Sequence, residues 1–173
     1  QHTERLLFLS VEKPSNFTFE PGQFVRLGVN GSPGEEHLMR PYSIASAPCE
    51  NQLDFYIAIV AEGELSKQFL DKKVGDTLYL DSQTYGLMDP QRLLPGKELL
   101  CIGTGTGVSA FLSIVKSNPW TRFENITVIH CCRHSQDLSV TEKFLQASQA
   151  IGKQEQFRFI SDVTQPRQED KMV

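Results

Sequence analysis

Apolar positions come in short, partly alternating runs in the first half of the chain and in longer blocks in the second. Up to about Pro95, five runs read as strands: Leu6 to Val11, Gln23 to Val29, Leu38 to Ala45, Leu53 to Ala61 and Thr77 to Leu80. Turn residues punctuate them at Pro21-Gly22, Gly31-Ser32-Pro33-Gly34 and Val74-Gly75-Asp76. Short strands at such spacing predict a small antiparallel barrel. The run from Leu53 starts by alternating and ends almost wholly apolar, as in a strand with one face on a core and the other covered. One helix interrupts the series, Leu65 through Leu70, with Ser66 as its N-cap and Leu65, Phe69 and Leu70 on one face.

From Leu99 the rhythm changes. Leu99 to Ile102 is a wholly apolar strand that runs into Gly103-Thr104-Gly105-Thr106-Gly107. A helical pattern follows (Val108, Phe111, Leu112, Val115) and stops at Asn118-Pro119. A strand (Ile126 to Cys132), a helix (about Val140 to Ala150) and a strand (Phe157 to Ile160) complete a β-α-β-α-β series. That series predicts a parallel, helix-covered sheet with right-handed crossovers. The expected architecture is a barrel over residues 1–95 and an α/β domain over 96–173, the boundary falling near Leu94-Pro95-Gly96-Lys97. Three parallel strands make a thin sheet, and the polar stretch from Asp162 to Val173 has no packing pattern. The second domain is therefore read as incomplete, either a fragment or a chain with segments closed up near this end.

Composition narrows the function classes. With 173 residues, 39% apolar and 22% charged, the chain is long enough to bury a core. A net charge of −4 argues against a nucleic-acid surface. No apolar run approaches the roughly 20 residues of a membrane span, and the polar start shows no signal peptide, so a cytoplasmic protein is expected. Cys49, Cys101, Cys131 and Cys132 form no C-x-x-C pair, and the last two point to opposite faces of a strand. They are expected to be buried free thiols rather than metal ligands.

Chemistry concentrates in three places. In Arg40-Pro41-Tyr42-Ser43, Arg40 and Tyr42 share a strand face, bringing a phosphate-pairing cation beside a stackable ring. The competing reading is a surface Arg and a core Tyr. Gly63-Glu64-Leu65-Ser66 offers a helix N-terminus for a pyrophosphate, or an ordinary capped turn. The glycine turn after Leu99–Ile102 brings free N–H groups to a strand end, which favours phosphate. Its G-x-G-x-G spacing departs from the dinucleotide fingerprint, and a tight turn requiring positive φ is its structural alternative. Together these segments point to a flat, phosphorylated cofactor.

These segments, with Pro21-Gly22-Gln23-Phe24, Phe55-Tyr56, His130-Cys131-Cys132-Arg133 and Asp137-Leu138-Ser139, resemble in order and spacing the ferredoxin–NADP⁺ reductase family. The likeness is greatest to its bacterial flavodoxin/ferredoxin reductases. The resemblance implies FAD as cofactor and NADP(H) as substrate. It implies that Arg40 and Pro41, with the backbone of Glu64, Leu65 and Ser66, hold the FAD. Tyr42 would stack on the flavin ring and Ser43 would lie near flavin N5, these two being the catalytic pair. Tyr56 and Thr106 would contact the same cofactor. Thr104, Gly105, Thr106, Cys132, Arg133, Ser161 and Asp162 would receive the nicotinamide nucleotide. Where the family has Ser-Arg, this chain reads Ser161-Asp162, and a carboxylate there favours a free ribose hydroxyl and so NADH. Arg133 argues for NADPH, towards which the balance leans.

The activity implied is electron passage between NADP(H) and ferredoxin or flavodoxin by a monomer, with no membrane or nucleic-acid partner. A reductase component of a multicomponent oxygenase is one alternative. A non-catalytic flavin-binding electron-transfer or assembly subunit is another. His130 and His134 are read as structural.

Overall fold

The structure, a computed structural model, describes residues 6–29 and 36–166. The expected turn at residues 31–34 and the chain beyond Pro166 lie outside them. Alternating apolar side chains make Phe24–Val29 a strand: Val25, Leu27 and Val29 are almost fully buried while Arg26 is exposed. Around it form β1 (Leu6–Glu12), β2 (Phe24–Val29), β3 (Leu38–Ser43), β4 (Gln52–Ala58) and β5 (Tyr79–Tyr85), with helix α1 (Glu64–Asp71) between β4 and β5. β1 pairs with β4, and β2 lies between β3 and β5. An Ile44–Phe55 bridge joins the two antiparallel sheets and gives the order β1-β4-β3-β2-β5, a Greek key. Their inner faces enclose Phe17, Phe19, Ile44, Leu53, Phe55 and Ile57, and α1 closes this core with Leu65 and Phe69.

The second half is β6 (Gly96–Thr104), α2 (Ser109–Lys116), β7 (Phe123–Cys132), α3 (Thr141–Ala150) and β8 (Phe157–Val163). The strands are parallel in the order β6-β7-β8, as the β-α-β-α-β rhythm requires. α2 and α3 cover one face, where Leu99, Cys101, Ile126, Val128 and Phe157 are buried. Phe144 of α3 is the centre of that packing, stacked on Phe157 at 6.3 Å between centroids and 5.1 Å from Phe159. On the other face Leu100 and Ile102 are 53% and 61% exposed. The helix-covered sheet is thus covered on one side among the described residues, and the apolar run Leu99–Ile102 alternates between core and surface.

Four further local expectations change. β5 occupies Tyr79–Tyr85 rather than Thr77–Leu80. Its polar stretch Asp81-Ser82-Gln83 falls on a sheet edge where the β2–β5 register breaks, so the strand pairs with β2 through Tyr79, Leu80, Thr84 and Tyr85 and little side-chain burial is required between them. β4 ends at Ala58, because Ile59 and the residues after it leave the sheet. In α1 the N-cap is Gly63. Ser66 stands inside the first turn, its buried hydroxyl accepting the Val60 N–H at 3.0 Å, while Leu70 faces solvent. Among the cysteines, Cys101 and Cys132 are buried but Cys49 is exposed.

Phe144→Ala removes the ring that joins α3 to β8. It should cost about 3–5 kcal/mol, read as a lowered urea midpoint at unchanged slope.

Candidate functional site

β6 ends in the glycine turn, and two of its glycines are there for different reasons. A Cβ on Gly103 would stand 3.1 Å from the Phe111 ring and 3.2 Å from the Val108 nitrogen, so its absence lets the following turn pack against the strand. Gly105 adopts φ +51°, which an L side chain rarely takes. Residues Gly105–Val108 form a 3₁₀ turn that leads directly into α2. Two buried side chains fix its carbonyls. The Ser109 hydroxyl donates to the Thr106 carbonyl at 2.6 Å. The His130 Nε2 lies 2.9 Å from the Gly105 carbonyl and, since a carbonyl only accepts, carries the proton. Burial holds the His130 imidazole below its ordinary range, and the Gly105 bond and the Asp137 charge only partly offset it.

This turn forms one wall of a cleft of about 890 Å³ between the C-terminal ends of the parallel strands and the barrel. Thr104, Gly105, Thr106, Cys131, Cys132 and Arg133 line the sheet side. Leu6, Ala58, Ile59 and Ala61 line the barrel side, so the apolar end of the Leu53–Ala61 run covers the cleft rather than a second sheet. Cys132 is buried, and its thiol is pushed up to about 11 by burial first and then by Asp137, Cys131 and Asp162. It stays protonated and donates to the His134 carbonyl at 3.2 Å.

The second cluster lies on the barrel, outside that lining. Arg40 and Pro41 are exposed on β3, and Tyr42 and Ser43 are half-buried. The Arg40 guanidinium donates to the Met39 carbonyl and has no ion pair among the described residues. Tyr42 packs on Phe69 of α1 at 5.8 Å. Burial raises its phenol above the ordinary value of 10.0, and the Arg40 charge lowers it in part, as expected for two residues on one face. Glu64, Leu65 and Ser66 begin α1, where backbone N–H groups lack intrahelical partners.

Comparison with known proteins places this geometry. Residues 1–84 match the oxidoreductase FAD-binding domain family. The ferredoxin–NADP reductase A of Sorangium cellulosum is 35% identical over 156 residues, which cover 87% of this chain and 55% of that protein. That of Azotobacter vinelandii is 38% identical over 135 residues, or 76% of this chain and 50% of that one. A Neisseria gonorrhoeae ferredoxin NADP⁺ reductase, solved with FAD and NADP bound, superposes with a TM-score of 0.83 at 29% identity, covering 94% of this chain and 63% of that one. The chain belongs to the ferredoxin–NADP reductase family. It spans about half the length of the curated family members it matches.

Of the residues the family resemblance singles out, Thr104, Gly105, Thr106, Cys132 and Arg133 meet at one cleft. Ser161 and Asp162 are exposed on β8 as the register partners of His130 and Cys131, outside the cleft lining. Thr164 and Asp137, not singled out as site residues, line it. Thr164 is there because the backbone after β8 bonds back to Cys132 and Arg133, a tertiary contact with no local signal. Tyr56 is 5% exposed and lies outside the cleft lining, and its hydroxyl donates to the Asp137 carbonyl at 2.9 Å.

Burial pushes the Tyr56 phenol up to about 12, from an ordinary 10.0. Its folded pKa lies above its unfolded one, so its contribution to stability is complete below pH 10.0 and is lost as the pH rises through about 12. Tyr56→Phe should therefore lower stability by about 1 kcal/mol at pH 7. The same variant should flatten the decline in stability above pH 10.0, as followed by urea unfolding at a series of pH values.

Proposed function

We propose that this chain carries the flavin half of an FAD-dependent oxidoreductase that passes electrons between NADP(H) and a small one-electron carrier, ferredoxin or flavodoxin. In this reading residues 1–95 hold FAD, and the part of 96–173 present here receives the nucleotide. The observation that carries it is the cleft where a Gly-Thr-Gly-Thr turn faces the end of a barrel strand. The residues fit both groups. The Arg40 guanidinium is exposed and without an ion pair among the described residues. The N-terminus of α1 offers free N–H groups for a pyrophosphate. At Gly105 and Gly107, no atom lies within 4 Å of where a Cβ would stand, so a flat ring can approach the backbone.

Bound flavin supplies hydride exchange at N5 and the step from two-electron to one-electron transfer. The chain supplies position and electrostatics. Arg40, beside Pro41, neutralises the pyrophosphate with the N–H groups of Glu64, Leu65 and Ser66. Tyr42, packed on Phe69, would offer its ring for stacking, and Ser43 would offer a hydroxyl for the hydride exchange. Tyr56, bonded to the Asp137 carbonyl, would support the cleft wall, and Thr106 would contact the flavin. Thr104, Gly105, Cys132 and Arg133 would take the nucleotide, with Ser161 and Asp162 as its further contacts on β8. Arg133 lines the cleft and Asp162 does not, which supports NADPH over NADH. No described helix is long and apolar enough to cross a membrane.

The flavin-loaded protein, mixed rapidly with NADPH, should lose its absorbance at about 450 nm faster than with NADH. Bleaching by neither nucleotide refutes the reductase reading, and faster bleaching by NADH reverses the preference. Ser43→Ala should slow that bleaching about ten- to hundredfold with FAD content unchanged. Loss of FAD at an unchanged rate per flavin would remove the role given to Ser43.

A further inference from the structure

Family likeness assigns nothing to His130, yet its placement is specific. It is fully buried on the helix-facing side of β7, edge-on to Phe159 at 6.2 Å. The ring's one hydrogen bond among the described residues is the Nε2 contact to the Gly105 carbonyl, and its buried Nδ1 has no partner. A leucine would fill similar space without burying a bare nitrogen. What the imidazole adds is control of one peptide plane.

A trans peptide sets its C=O and N–H in opposite directions. With the Gly105 carbonyl held towards His130, the N–H of Thr106 must point away from it. Thr106 stands in the first turn of a 3₁₀ helix, where N–H groups have no intrahelical partner. Its own carbonyl is held by the Ser109 hydroxyl and the Ser109 N–H, so the next peptide is fixed in the same sense. Gly105 and Thr106 both line the cleft.

We propose that His130 is a positioning residue that holds the Gly105 carbonyl inward and so aims the Thr106 N–H into the cleft as a hydrogen-bond donor to the flavin. This rests on the flavin reading above. His130 touches neither flavin nor nucleotide; it acts through the turn. Asp137, the charge nearest to matter for the ring, lies on the cleft lining and does not bond to it.

The test compares ¹⁵N-labelled chain with His130→Gln, whose side-chain amide reaches the same carbonyl, and with His130→Leu, which has no donor. FAD is the probe, followed by flavin fluorescence and by the Thr106 amide resonance. His130→Gln should bind FAD within about twofold of the unaltered chain, while His130→Leu should bind about five- to tenfold more weakly. The shift of the Thr106 amide on adding FAD should persist in the Gln variant and vanish in the Leu variant. Equal weakening by both variants, or full binding and an unchanged Thr106 shift in the Leu variant, overturns the proposal. Should His130→Leu lose its dispersed spectrum, His130→Phe makes the same comparison. If the unaltered chain takes up no FAD, the flavin reading falls. The tether is then judged in the free chain, where Thr106 resonances identical in all variants overturn it.

Discussion

Everything at the candidate site depends on one shared seam of apolar contact between the barrel and the parallel sheet. Leu6, Ala45 and Tyr56 belong to the barrel by sequence, yet they are buried in the same core as α2, α3, β6 and β7. Burying such a seam sets the distance between the two halves, because close-packed side chains tolerate little displacement. The cleft lies at its edge, so the width of the cleft is a consequence of packing.

Polar contacts around the seam orient it more than they hold it. The Tyr56 hydroxyl reaches the Asp137 carbonyl, and Lys116 of α2 reaches Glu50 at 3.1 Å and Asp54 of β4 at 3.4 Å. Lys116 and Asp54 are only 20% and 14% exposed, so this pair is less screened than Lys67–Glu62, which lies in open solvent. Lys143 adds a cation over the Phe8 ring at 3.8 Å. These contacts come from β1, β4, the turn after Ala47, the 3₁₀ segment before α3 and the two helices, so relative rotation of the halves would break several at once.

Much of this was legible in the residue pattern, and what was not has local causes. Alternation located β2 and β4, and the glycine turn after an apolar strand located the mouth of the cleft. β5 was misjudged because it pairs with β2 only on either side of a register break, and the Asp81-Ser82-Gln83 stretch within that break looks like a loop. Ser66 has the chemistry of a cap, but its hydroxyl is taken by the Val60 N–H, and Gly63 stands at the helix start instead. His130 reads as an ordinary strand-end histidine until its bond to Gly105 is seen, a contact 25 residues apart in sequence. Thr164 carries no signal at all.

By itself the sequence determined the kinds of element, their order and the family, because periodicity, turn residues and a spaced set of motifs are properties of the chain read locally. Tertiary structure decided which motifs share a cleft. It brought Thr104–Thr106 and Arg133 together while leaving Asp162 outside, and it turned Tyr56 towards Asp137. The reason is physical: strand register and the apolar seam fix where side chains far apart in sequence meet, and neither is encoded in any single segment.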